Sequence, residues 1–268
     1  MIPCVSAIAW HPEEAADALA MLASLGIRDV ELAPNHAWPD AMQVTETEAR
    51  ELAATFAAQG FRVRSFQALL FGKSELQLFD DGKCEAYLTQ LCRLAGWMGA
   101  GALVFGSPKN RLRGALSTTE ANARACEIFR RIGAVAHAAG TAFCVEANPA
   151  VYGGDFLLTS GEVVAMVQAV NSPGLKLNVD LGEIALNQLP LAHVLPDQLR
   201  HAGHLHVSEP MLEPFNAGRE AHREAAEILT SQGYAGAVSL EMKRPAGGLP
   251  ALQQATRAML QAYFPSPA

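Results

Sequence analysis

The chain has no apolar run near the roughly 20 residues that cross a bilayer. Its first residues, MIPCVSAIAWHPEE, have no basic segment and turn acidic too early for a secretory leader. A cytoplasmic protein with no membrane partner is expected. Cysteine is sparse: Cys4, Cys84, Cys92, Cys126 and Cys144 form an odd set without a CxxC pair, which argues against a disulfide framework or a thiolate zinc site. Reduced, buried thiols are the expectation. Cations are also in short supply, 20 Lys and Arg against 27 Asp and Glu, so the formal net charge is −7 and a phosphate-rich duplex would be repelled. Nucleic acid is therefore not an expected partner. Only 18% of residues are charged and half are hydrophobic, a balance that a disordered chain does not have.

What the chain does have is alternation. Eight short β-branched or apolar runs recur, CVSAIAW, DVELA, RVRSF, ALVFG, AFCVE, LKLNV, HLHVS and AVSLE. Between them lie stretches with helical apolar spacing, among them PEEAADALAMLASLG, TEARELAATFAAQG, AYLTQLCRLAGWMG and TEANARACEIFRRIGAVAHAAG. Three of these run into Gly26, Gly60 and Gly140, placed to take the left-handed conformation that ends a helix before the next strand. Repeated strand, loop and helix units without a hairpin signal imply a parallel sheet, and eight units imply its closure into a (β/α)8 TIM barrel. No linker or compositional break divides the chain, so one domain over residues 1–268 is expected. The longer irregular stretches, 33–45, 68–81, 106–117, 148–159 and 208–217, each follow a strand. In a barrel they share the C-terminal face, where active sites of this fold lie.

Four consecutive strands deliver a donor at that end: Glu146 in FCVEANP, Asp180 in LNVDLGE, His206 in HLHVSE and Glu241 in VSLEMK. Any one alone reads as a loop cap or surface group. Converging near the barrel axis, three buried carboxylates require a cation. Carboxylate oxygens with one imidazole suit one divalent ion, Mn²⁺, Mg²⁺, Co²⁺ or Zn²⁺, with Mn²⁺ the first expectation.

On this Glu, Asp, His, Glu order the chain resembles the xylose isomerase-like TIM barrel superfamily along essentially its whole length. That superfamily includes ketose 3-epimerases, sugar isomerases, inosose dehydratases and apurinic endonucleases. The resemblance implies that Glu146 and Glu241 both hold the metal and serve as the catalytic acid and base pair. It implies an isomerase or epimerase acting on a sugar, sugar phosphate or related polyhydroxy ketone. The physics agrees: a cation chelated by a ketone and its adjacent hydroxyl acidifies the neighbouring C–H, which one glutamate deprotonates and the other reprotonates from the opposite face. A dehydratase of an inosose-like keto-polyol using the same site stays open, as does a noncatalytic polyol-binding barrel or accessory subunit. Where the ketose 3-epimerases have a second substrate-binding Glu, a His and an Arg, this chain has Tyr152, Glu183 and Leu212. Substrate contacts other than those of a free ketohexose follow. Glu183 also replaces a ligand His of the endonuclease branch, so a trinuclear zinc nuclease is not expected.

Other candidates surround this quartet. Lys109, Arg111 and Arg113, in the FGSPKNRLRG loop after strand four, offer an anion-binding cluster for a phosphate or carboxylate, against the plainer reading of a solvated basic loop. Gln67, Tyr152, Glu183 and Glu209 are candidate substrate contacts. Trp10, Phe66 and Phe71 offer an apolar wall. His204, two residues before His206, reads as a hydrogen-bonded core histidine. Glu31 is read as touching substrate or pairing with Lys243 or an arginine. His11, His36, His137, His193, His201 and His222 read as surface groups. A small carbohydrate is the expected partner, with a homodimer or homotetramer left open.

Overall fold

The eight apolar runs become eight strands that bury side chains on both faces, as an enclosed parallel sheet requires. The computed structural model describes residues 1–265. The strands are β1 Ile2–Ser6, β2 Asp29–Leu32, β3 Arg62–Phe66, β4 Ala102–Phe105, β5 Ala142–Glu146, β6 Leu175–Asp180, β7 Ala202–Ser208 and β8 Ala237–Glu241. All neighbours pair in parallel, and β8 pairs with β1, so the sheet is a closed barrel in sequential order. The chain is a (β/α)8 barrel, as the alternation predicts. The first strand is displaced from its expected span: Ser6 caps a tight turn at Ala7–Ala9, its Oγ accepting from Ile8 N at 3.4 Å, so the strand ends early and Trp10 lies beyond it.

Gly26, Gly60 and Gly140 have φ of +79°, +77° and +76°, the conformation that a Cβ disfavours. Capping boxes formed by Thr45 with Glu48, Ser117 with Glu120 and Thr159 with Glu162 open three of the outer helices. The outer shell packs like any core. Phe105 of β4, Phe143 of β5 and Phe129 of helix Thr118–Ala138 stack with centroids 5.3–6.1 Å apart. Full burial of such a ring stabilises by roughly 1.5–3 kcal/mol.

The interior at the C-terminal end is different: it is polar. Register pairs Glu146 with Asn178, Asp180 with His206 and Ser208 with Glu241. A register shift between Leu177 and Asn178 sets β6 so that Asp180 lies beside His206. A second shift, between Val30 and Glu31, puts Glu31 beside Ser65. Their apolar neighbours Val145, Val179, Leu205, Val207 and Leu240 are fully buried. Carboxylates that would be costly inside an ordinary core are thus collected at one point.

Candidate metal centre and active site

Glu146, Asp180, His206 and Glu241 come from the C-terminal parts of β5, β6, β7 and β8; Glu146, His206 and Glu241 are buried and Asp180 is partly buried. One donor atom from each lies within 4.8 Å of every other. Two atoms bound to one ion at about 2.0–2.6 Å are at most about twice that distance apart, so the cluster has the size of a single coordination sphere. Each carboxylate is oriented by hydrogen bonds. Glu146 accepts from Asn148 Nδ2 at 2.8 Å on Oε1 and from Asn178 Nδ2 at 2.7 Å on Oε2. Asp180 caps the short helix Leu181–Leu186, its Oδ1 accepting from Gly182 N at 2.7 Å and from the Ser208 hydroxyl. Glu241 Oε2 lies 3.1 Å from His206 Nδ1, as does Glu146 Oε2.

His206 shows how a cation would fit. Its Nε2 lies 3.0 Å from Glu31 Oε1, while its buried Nδ1 approaches both glutamates without hydrogen-bond geometry and has no partner. With the Nε2 proton given to Glu31, Nδ1 presents a lone pair to three carboxylates. That donor set fits a divalent ion. Glu146, Asp180 and Glu241 line a cavity of about 520 Å³, whose apolar wall includes Ile8, Trp10, Phe71 and Val104.

The chain matches the sequence pattern of the xylose isomerase-like TIM barrel family over residues 19–263. It belongs to that family. No curated protein matches it in sequence. Among solved structures it is similar to a D-psicose 3-epimerase with D-tagatose from Clostridium cellulolyticum H10, with 18% identity, 98% of each chain covered and a TM-score of 0.79. It is also similar to a 3-keto-D-glucoside 4-epimerase from E. coli, with 14% identity, 97% and 99% covered and a TM-score of 0.78. A probable 3-DHS dehydratase from Bacillus anthracis has 17% identity, 97% and 98% covered and a TM-score of 0.71. At such identities these likenesses show a shared fold.

In this xylose isomerase-like barrel the charges of the cluster are unequal. Burial pushes the Asp180 carboxyl well above its usual range, and the charges of Glu146 and Glu241 add to the effect. Burial also raises Glu241, with His206 only partly opposing it. Glu146 ends below its ordinary value, since the His206 contact, Asn148 and the Arg111 charge outweigh burial. His206 lies well above its usual value because Glu241 and Glu31 outweigh its own burial.

The remaining candidates separate into two groups. Gln67 and Tyr152 line the cavity. Gln67 donates to the Ser6 hydroxyl, and the Tyr152 hydroxyl accepts from Met211 N at 3.0 Å while burial raises it to about 12. Lys109, Arg111, Glu183 and Glu209 are not among the lining residues. Lys109 is exposed and lies over Gly153. Arg111 is fully buried, contrary to an open anion site: it donates to Glu146 O at 2.8 Å, Asn148 Oδ1 at 3.0 Å and Leu157 O at 3.2 Å. Arg113 is occupied by Asp155 and Thr118. Glu183 turns to Ser160 N and Asn187 Nδ2, at 3.1 and 2.7 Å. Glu209 turns to Asn216 N, Arg219 and His222. His222, expected at the surface, is buried between Glu209 and Tyr263, which satisfy both of its ring nitrogens. Phe66 is in the core, edge-on to Trp38, whereas Trp10 and Phe71 form part of the cavity wall.

Composition and period do not single out Asn148 and Asn178, although a signal existed. Each lies two residues from a carboxylate and so on the same face of the extended chain. Lys243 and Arg244, the two residues beyond Met242, also line the cavity.

Proposed function

We propose that the protein is a divalent-metal-dependent isomerase or epimerase of a polyhydroxy ketone, with Glu146 and Glu241 as its proton-transfer pair. The observation that carries this reading is the approach of both glutamates to His206 Nδ1 at 3.1 Å, in one cage at the floor of one cavity. A bound divalent ion would supply the polarisation of a substrate carbonyl that makes the adjacent C–H acidic. Glu146, whose oxygens accept from Asn148 and Asn178, is suited to exchange a proton with the substrate, and Glu241, across the cage, to exchange one from the other side. Gln67 and Tyr152 are positioned to contact the substrate.

Charge supports an uncharged substrate over a sugar phosphate. The cations lining the cavity are matched, Lys243 by Glu213 at 2.5 Å and Arg244 by both oxygens of Glu14 at 2.7 Å. The basic residues of the loop after β4 are turned elsewhere. A phosphate dianion would meet no unpaired Lys or Arg among the described lining residues.

The test is solvent deuterium exchange on a panel of ketoses, keto-glycosides and ketose phosphates, with protein stripped by chelator and reloaded with Mn²⁺, Mg²⁺, Co²⁺ or Zn²⁺. Metal-dependent deuterium uptake with inversion or isomerisation is expected, fastest on unphosphorylated compounds. Glu146→Gln and Glu241→Gln should each abolish net conversion by several orders of magnitude, one of them sparing exchange from a single epimer. Near wild-type conversion by both variants would refute the pair. Loss of a hydroxyl in place of inversion would make the enzyme a dehydratase.

A further inference from the structure

Glu31 comes from β2, on the far side of the barrel from β7, and its carboxylate is completely buried. Nothing in its own strand explains the cost of placing it there. Its surroundings do: Oε1 lies 3.0 Å from His206 Nε2, while Oε2 lies 2.7 Å from His204 Nε2 and accepts from Ser65 Oγ at 2.6 Å. Both oxygens are thus engaged by donors, which makes the group a satisfied hydrogen-bond acceptor and leaves it no vacancy of its own for an ion. The two imidazoles stand edge to face, with centroids 5.2 Å apart and planes at 87°. Turning either ring would break its bond to Glu31.

We propose that Glu31 is a positioning residue that reaches across the barrel to fix His206, so that Nε2 carries the proton and Nδ1 meets the cage. The proposal rests on the reading of Glu146, Asp180, His206 and Glu241 as a metal site. Imidazole has one lone pair to give, and the partner at the other nitrogen decides where it points. Ser65 and His204 fix the Glu31 carboxylate in turn. The β2–β3 shift that sets Glu31 opposite Ser65 is therefore part of the same device.

The experiment measures Co²⁺ affinity by chelator competition, without substrate, for wild type, Glu31→Ala and Ser65→Ala. In parallel, histidine ¹⁵N NMR on Zn²⁺-loaded protein identifies the ring nitrogen that binds metal. In wild type, metal on Nδ1 and a slowly exchanging proton on Nε2 are expected. Glu31→Ala should lose that slow proton and weaken Co²⁺ by about 10–100-fold, the usual cost of removing a partner of a metal-bound histidine. Ser65→Ala, which loosens Glu31 without touching His206, should weaken Co²⁺ in the same direction but by less than Glu31→Ala, and a loss larger than that of Glu31→Ala overturns the proposal. Metal on Nε2 of wild type overturns the proposal even if Glu31→Ala fails to fold. So does wild-type Co²⁺ affinity in a folded Glu31→Ala. Absence of metal uptake by wild type would instead defeat the underlying metal reading, and this proposal with it.

Discussion

Arg111→Met tests whether the one arginine buried beside the cage supports structure or recognises a ligand. The change keeps most of the side chain's length and removes the guanidinium, which lies 5.8 Å from the centroid of Phe105. Burial lowers Arg111 only to about 10, with the Glu146 charge opposing, so the cation persists at neutral pH. Three acceptors would lose this donor, Glu146 O, Asn148 Oδ1 and Leu157 O, although Leu157 O keeps the Asn148 N–H at 3.2 Å. A buried acceptor stripped of its partner costs about 1–3 kcal/mol. The lower end applies to the other two, because removal of a buried charge recovers desolvation energy, which puts the loss at about 2 kcal/mol. For a domain of this size that corresponds to a fall in Tm of about 4–8 °C. Thermal unfolding followed by circular dichroism, with and without added Mn²⁺, measures it. A Tm within about 2 °C of wild type, with KM raised by about 10–100-fold, would show that Arg111 reaches the ligand after all.

Two further predictions follow from close contacts and burial. A Cβ at Gly106 would lie 2.8 Å from Glu146 Oε1 and 3.2 Å from Asn148 Oδ1, so Gly106→Ala should displace the glutamate and lower turnover by about 10–100-fold with little change in Tm. Wild-type turnover in that variant would show that Glu146 tolerates displacement. Burial raises the folded-state value of Glu183 above the ordinary 4.5, so the folded protein binds the extra proton and loses stability as pH rises through that raised value. Glu183→Gln keeps an acceptor for Ser160 and Asn187 without the charge. It should therefore raise Tm at pH 8 relative to wild type, an advantage that fades as pH falls through the raised value to 4.5, and an equal gain at pH 8 and pH 4.5 would refute the burial argument.

Local chemistry was legible wherever it depends on neighbours along the chain. Gly26, Gly60 and Gly140 announce helix stops, and the structure gives all three the left-handed conformation. Eight such units in strict alternation leave a parallel barrel as the economical closure, and strand-end position alone nominates Glu146, Asp180, His206 and Glu241. The loop after β4 was not legible in the same way. Lys109, Arg111 and Arg113 differ little as a sequence pattern, yet one is exposed, one is fully buried and one is tied to Asp155.

The same division runs through the candidate metal centre. Alternation along β7 puts His204 and His206 on one side, and that much is a property of extended chain. That they meet Glu31, 175 residues away from His206, depends on barrel closure and on register shifts after Val30 and Leu177. Sequence by itself thus determined the repeating unit, the closed parallel sheet and the donor types at its rim, because these follow from period, capping and chain direction. Tertiary structure alone decided which polar groups face one another, because a buried charge is held by whatever donor the register brings within about 3 Å, and register is set by packing across the whole barrel.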